Sequence, residues 1–522
     1  MSQAVAREEG LIRAVNPATL EIIKEIPAIS ADGVRDAVEK ARDAQKKWAS
    51  AVWSEKMACF SRIRDVIVKD MDKVAAVITA DNGKTRVESV NSEIFPVLDM
   101  LRFCMKEAPK ILKEERLDHP LFGILGIKSS VIYEPLGVIG IIAPWNFPFC
   151  IPMTQILMAI AAGNTVVFKP AALTAVVGEL IESIFKKAKL AEGVVNVAQG
   201  SGSVVGNAIM RAGVDRLAFT GSVPVGKALM KKAAEMLMPI TLELGGKDPF
   251  IVLDDADLER ASSGAVWGAF VNAGQVCASV ERVYAHKKIA ARFIEMVVEK
   301  TKRLRVGNGM DFSTDMGPLI DKSQVCLVEA HVEDAMRKGA RVLAGGRRAE
   351  NLKGHFFEPT VIVDVNHDME CMTEETFGPT MPIMTYSDID EAVYLANDSR
   401  FALTASVWSR DENKAKDICR KLTTGCVTVN DCEYTYGFAV CPWGGPKESG
   451  LGRTHSAHGF REFTNMKNLC VTTPRLKKNL WWHPYSEHRY EQMKAFATGV
   501  YGKGIAAKCA LASSAVKSIL TQ

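Results

Sequence analysis

The chain has 522 residues, of which 48% are hydrophobic and 24% charged, and a net charge of +4 at pH 7. That is too long for one ordinary core, so two or three domains are expected, and the balance is that of a globular enzyme rather than a disordered or fibrous chain. A small positive excess spread over this length sets nucleic acid aside as a partner.

The twelve cysteines form no CxxC pair and no Cys/His cluster of zinc-like spacing, so no metal is expected. They read as thiols of a reducing compartment, most of them small buried apolar side chains. Residues 1–10 are polar and charged and lack the apolar run of a secretory leader, which points to a cytoplasmic protein.

Residues 31–115 carry apolar side chains three and four apart, among them Val34, Ala37, Val38 and Ala41, and predict helices. Residues 129–143 change character, and Val131, Ile132, Val138, Ile139, Ile141 and Ile142 suggest strands. No charged residue lies between Pro135 and Phe168, a length that would span a bilayer. Pro144, Pro148 and Pro152 interrupt it, so a buried core segment is expected instead. Strands at 165–168, 194–197 and 216–219 then alternate with helices at 176–190 and 204–212. That alternation implies a parallel, doubly wound α/β sheet, which binds ligands at the carboxyl ends of its strands. A second α/β run begins at 249–253. It continues through helices at 257–273 and 285–303 and strands near 341–344, 360–363, 381–385 and 404–408.

Several short motifs carry chemistry. Gly200-Ser201-Gly202, with Gly206, follows a strand and opens a helix, where backbone amides approach a phosphate; an ordinary tight turn explains it equally well. Phe219-Thr220-Gly221-Ser222 repeats the theme at the next strand end and strengthens the case for a nucleotide. Cys277, after Gly274-Gln275, fits a nucleophile beside a helix with a lowered pKa; a buried structural cysteine is the alternative. Glu243, in an apolar strand before Gly245-Gly246, fits a general base of raised pKa, or else a salt bridge with Lys247. Asn146, in an uncharged loop between Pro144 and Pro148, fits an oxyanion donor or a turn cap. Glu374-Glu375-Thr376-Phe377-Gly378 offers a carboxylate to ribose hydroxyls, or is a solvated turn.

Together and in this order, the motifs resemble the NAD(P)-dependent, hydrolytic aldehyde dehydrogenase superfamily, from Asn16-Pro17 to about Val471. Pro442-Trp443-Gly444-Gly445, Lys447 and Ser449-Gly450 match its C-terminal signature. The resemblance implies that Cys277 attacks the aldehyde to form a thiohemiacetal. Asn146 and the Cys277 amide form the oxyanion hole, and Glu243 activates the water that hydrolyses the thioester. It implies that Lys169 meets the adenine ribose, with Gly202, Gly221 and Ser222 at the phosphates. Trp145 lines the cofactor channel, and Glu375 and Phe377 clamp the nicotinamide ribose. Many NAD-preferring members carry a glutamate where this chain has Ala172, so NADP is expected to be accepted alongside NAD. The substrate pocket is placed at Phe147, Ile151, Thr154, Tyr434, Tyr436 and Trp443. A small residue at Thr154 and the absence of cations in these stretches favour apolar or aromatic aldehydes.

The resemblance also implies a Rossmann-like cofactor domain (1–115 and 135–245), a catalytic domain (246–445) and, over 116–134 and 446–472, a small β oligomerisation arm and the C-terminal signature, hence a homodimer or homotetramer. The tail, 473–522, departs from the family pattern. Arg475, Lys477 and Lys478 precede Trp481-Trp482-His483-Pro484-Tyr485, and residues 504–520 are small and apolar. That is the pattern of a membrane-surface segment; packing on the subunit or a neighbour is the other reading. Two rival functions are a CoA-acylating relative, which typically lacks the glutamate matched by Glu243, and a catalytically idle structural homologue, against which the intact Cys277, Glu243 and Asn146 argue.

Overall fold

The computed structural model describes residues 10–473, 478–479, 481–503 and 505. Met1–Leu112 and Glu134–Asn465 form one compact unit, and Lys113–Tyr133 with Met466–Gln522 the other.

In the larger unit the apolar spacing of the first hundred residues becomes the helices Ala31–Ser50, Trp53–Lys69, Met71–Asn82 and Phe95–Ile111. The uncharged stretch resolves into the strand Val138–Ile142, the helix Cys150–Ala161 and the strand Thr165–Lys169, every position of which is buried. These are core elements because, Lys169 at the end of the last strand apart, no side chain in them has a charge to keep in water.

Two sheets organise this unit. The first runs in the order Gly450–Leu451, Ile240–Glu243, Arg216–Thr220, Val138–Ile142, Thr165–Lys169, Val195–Val197. Its neighbours are parallel except at the Gly450–Leu451 edge. The chain winds outward from Val138–Ile142 in one direction and then crosses to Arg216–Thr220 on its other side. That reversal is a topological switch point, where open α/β sheets leave a crevice at their carboxyl ends. The second sheet runs Arg341–Ala344, Thr360–Val363, Thr380–Tyr386, Val280–His286, Asp248–Val252, Thr404–Trp408, Cys426–Val429.

Two features of these sheets were not foreseen from the sequence. The C-terminal signature returns to the first sheet, where Gly450 pairs with Glu243 at its edge. A Cβ at Gly450 would stand 2.1 Å from the Leu242 carbonyl oxygen, so a glycine is what lets the two backbones meet. The central strand Val280–His286 was not expected. Its apolar run is broken by Glu281 and Arg282, both buried and internally paired.

In the smaller unit, Ile127–Pro135 lies between Thr464–Thr472 and Glu115–Leu117. Trp481, Trp482 and Tyr485 are exposed, and the helix Glu487–Tyr501 follows, capped by Ser486. Arg475, Lys477, Gly504 and 506–520 of the expected membrane-surface pattern lie outside the described residues. Among the described residues, no helix is long and apolar enough to cross a membrane, and none offers a cluster of three or more His, Cys, Asp or Glu side chains fit to hold a metal ion.

Candidate active site

Cys277 follows the helix Leu258–Phe270 through a turn in which Asn272, Ala273 and Gly274 take left-handed φ angles of 51°, 55° and 71°. For the two non-glycine residues that costs about 1–2 kcal/mol each, so the turn must be held. Glu88 Oε1 accepts from the Asn272 amide at 2.7 Å. Asn272 Nδ2 donates to the carbonyls of Asn146 and Gln275, at 3.0 and 3.2 Å. Gln275 Nε2 donates to the Asn272 carbonyl, and Gln275 Oε1 accepts from the Ile320 amide. At Gly274 a Cβ would stand 2.2 Å from the Gly378 carbonyl oxygen.

The expected lowering of the Cys277 pKa is overturned. The cysteine leads into the strand Val280–His286, not into a helix N-terminus. Burial, reinforced by Glu243, Asp248, Glu375 and Glu433, holds the thiol well above its ordinary pKa. Such a nucleophile needs a base.

Glu243 ends the strand Ile240–Glu243 and is only 3% exposed. It does not pair with Lys247, whose ammonium goes to Glu281. Hydroxyls hold it instead. Thr454 Oγ1 donates to Oε1, and Thr220 Oγ1 donates to Oε2 at 3.4 Å while accepting from Gln155 Nε2 at 3.0 Å. Burial pushes the carboxyl up to about 7, against the opposing pull of Thr454, Thr220 and Arg453. A carboxyl poised near neutrality is suited to taking and returning a proton.

Asn146 is buried, and its Nδ2 donates to the Gln275 carbonyl at 3.0 Å, which fixes the amide against the Cys277 turn. Its own carbonyl accepts from Lys84 Nζ at 2.8 Å. Lys84 is paired with Glu93 at 2.7 Å, both side chains being 0% exposed, and Glu93 Oε2 accepts from the amides of Phe149 and Cys150.

Cys277 and Glu243 stand where two cavities meet, and both line each of them. One cavity is lined by Trp145, Gly221, Ser222, Glu375 and Phe377 of the expected cofactor set. Ser222 occupies the N-cap of the helix Val223–Glu235 but makes no capping bond, which leaves the first-turn amides to an anion. Glu375 accepts from the Gly246 amide at 3.1 Å, and burial, then Glu281, push it up to about 8. Trp145 and Phe377 meet edge to face at 5.4 Å. Lys169, Ala172 and Gly202 do not line this cavity. Lys169 ends the strand Thr165–Lys169, donates to the Pro170 carbonyl at 2.7 Å, and is pushed down to about 8 by burial. Ala172 opens the turn Ala172–Thr174, and Gly202 opens the turn after Val195–Val197. A Cβ at Gly202 would meet nothing within 4 Å, so packing within the chain does not demand a glycine there. Uncapped amides, a buried lysine and an open glycine, all at strand carboxyl ends, fit a dinucleotide.

The other cavity, about 340 Å³, is lined by Phe147, Ile151, Tyr434, Tyr436 and Trp443 of the expected substrate set. Thr154 is not part of its wall. It is wholly buried in the helix Cys150–Ala161, with Oγ1 3.1 Å from the Tyr436 hydroxyl, so it backs the wall and does not widen the tunnel. Phe95, Trp267, Glu433 and Phe438 line the cavity without having been foreseen. Among the described residues that line it there is no lysine, arginine or histidine.

A profile described as the aldehyde dehydrogenase family matches residues 4–469. The chain belongs to the aldehyde dehydrogenase family. It is 37% identical over 492 residues to a 4,4'-diapolycopene aldehyde oxidase of a Methylomonas species, covering 94% of this chain and 92% of the relative. It is 36% identical over 470 residues to a probable NADP(+) succinate-semialdehyde dehydrogenase of Sinorhizobium fredii, covering 90% and 94%. Among solved structures it resembles betaine aldehyde dehydrogenase from Staphylococcus aureus in complex with NAD+, with a TM-score of 0.86 and 32% identity over 92% of this chain and 96% of the other.

In this aldehyde dehydrogenase, sequence reasoning missed the residues that position the site. Glu88, Lys84 and Glu93 lie in an N-terminal stretch read only for helical spacing, and Glu281 lies in the unforeseen strand. Glu281 accepts from the amides of Thr376 and Phe377, which fixes the loop bearing Glu375. The only signal was the placing of charged residues inside apolar surroundings, without a regular spacing to connect partners.

Proposed function

We propose that this enzyme oxidises an apolar or aromatic aldehyde to its carboxylate, using NAD or NADP. The observation that carries the reading is the position of Cys277 and Glu243 at the junction of two cavities, one running to the strand ends that suit a dinucleotide, the other apolar and without a cation. Glu243 takes the Cys277 thiol proton. The thiolate attacks the carbonyl carbon, and the oxyanion of the thiohemiacetal is met by the Cys277 amide and the remaining Asn146 Nδ2 hydrogen. The bound nicotinamide supplies a hydride acceptor. Glu243 releases the thiol proton to solvent, then takes a proton from the water that attacks the thioester and returns it to the Cys277 sulfur as the acid leaves.

A dicarboxylic semialdehyde would bring an anion into a pocket with no cation to pair it, so this substrate reading departs from that of the succinate-semialdehyde relatives. The three-stranded sheet of the smaller unit supports an oligomerisation arm. Its edge strand Thr464–Thr472 exposes Met466, Leu469 and Val471, an edge that a second copy would cover. The exposed Trp481, Trp482 and Tyr485 support contact with a membrane surface, which pelleting with anionic liposomes tests against a chain ending at Val471. The main test is the initial rate over a panel of aldehydes with NAD and NADP, with and without CoA, for wild type and Cys277→Ala. Cofactor reduction that needs Cys277 but not CoA supports the reading; reduction that needs CoA, or that survives in Cys277→Ala, overturns it.

A further inference from the structure

The substrate cavity does not close where it reaches the surface. Four of its lining residues form a rim there that remains open to water: Phe95 is 46% exposed, Trp267 42%, Tyr434 44% and Phe438 39%. Phe438 stands at the centre of a chain of rings, meeting Phe95 edge to face at 6.0 Å and Tyr434 at 6.1 Å. Favoured aromatic geometry makes this rim a formed surface in the free enzyme. Leaving several large apolar side chains together in water is unfavourable, and such patches mark ligand or partner sites. This patch continues inward through Phe147, Ile151 and Trp443 to the cavity that Cys277 lines, so one apolar path joins the sulfur to the surface.

We propose that the enzyme takes long, linear, apolar aldehydes, with the carbonyl at Cys277 and the tail lying out of the cavity over the Phe95–Phe438–Tyr434 rim. The occupant of the patch is the substrate's own chain, because the patch is continuous with the reacting site and carries no charge that would select a polar ligand. A short aldehyde fills the inner cavity alone; a long one gains contact with each further methylene that reaches the rim. This inference rests on aldehyde oxidation at Cys277.

The test is a series of n-alkanals from propanal to decanal, with kcat/KM measured for wild type, for the double variant Phe95→Ser with Phe438→Ser, and for Phe438→Leu. In wild type, kcat/KM is expected to rise up to about fourfold for each methylene that becomes buried, and to go on rising past hexanal. In the double variant the decanal-to-propanal ratio is expected to fall at least tenfold, mostly through KM, while Phe438→Leu, which stays apolar, keeps most of it. Because each ratio is taken within one protein, a partly folded variant does not imitate the effect. A ratio that is level from hexanal onward in wild type, or unchanged in the double variant, overturns the inference. Turnover of none of the aldehydes, propanal included, overturns the oxidation reading beneath it.

Discussion

Thr454 donates its hydroxyl proton to Oε1 of Glu243. It is brought there by the C-terminal signature, which returns to the first sheet and pairs Gly450 with Glu243. The base is therefore held by hydroxyls from two distant segments, Thr220 and Thr454, and not by a counter-charge in contact with it.

This arrangement fixes how rate depends on pH. Glu243 acts as a base only when ionised, so turnover is expected to rise with pH through about 7. Thr454→Val removes a bond that favours the ionised form, and the rising limb of kcat should move to higher pH by about one unit. A limb that stays in place would show that Thr454 does not tune the base.

The same carboxyl bears on stability with a definite sign. Its folded pKa, about 7, lies above the ordinary 4.5. Between those values the folded chain keeps a proton that the unfolded chain has released, so stability falls as pH rises through this window and levels off above it. Glu243→Gln should abolish that contribution and be the more stable protein at pH 8, by up to about 3 kcal/mol. Urea melts at pH 5 and pH 8 read the difference.

Lys84 and Glu93 form a wholly buried pair that supports the Asn146 carbonyl and the start of the helix Cys150–Ala161. Lys84→Met leaves Glu93 buried without its partner and should cost about 3–5 kcal/mol in a denaturant melt. Among molecules that remain folded, kcat should fall, because Asn146 loses an anchor.

The proposed use of NADP rests on reading Ala172 as the position from which a carboxylate would repel a 2′-phosphate. Ala172→Glu should lower the NADP-to-NAD ratio of kcat/KM at least tenfold, about 1.4 kcal/mol. A wild-type NADP efficiency below about 1% of that with NAD, a gap near 2.7 kcal/mol, would refute the reading of this position.

Much of this was legible in the sequence because the first sheet is built from short apolar strands separated by glycine turns. Val138–Ile142, Thr165–Lys169 and Arg216–Thr220 stand where the alternation put them, and Trp145, Gly221, Ser222, Glu375 and Phe377 share a cavity. What was not legible depends on pairing across long separations. Nothing local to Cys277 shows that Glu88 will hold its turn, or that four carboxylates will surround it and raise its pKa. Thr154 misled for a related reason: the resemblance placed it in the pocket wall, but its position in the helix Cys150–Ala161 turns it into the core, behind Tyr436.

The central claim is that an acyl group passes through Cys277 and is released with the help of Glu243. The most direct test is to mix Glu243→Gln with one equivalent of aldehyde and excess NAD, follow reduced cofactor by stopped flow, and analyse the quenched protein by mass spectrometry. The account predicts a burst of cofactor reduction of up to one equivalent per site, slow turnover afterwards, and the acyl mass on the peptide bearing Cys277. Steady turnover at the wild-type rate, or reduction with no adduct on Cys277, would contradict it.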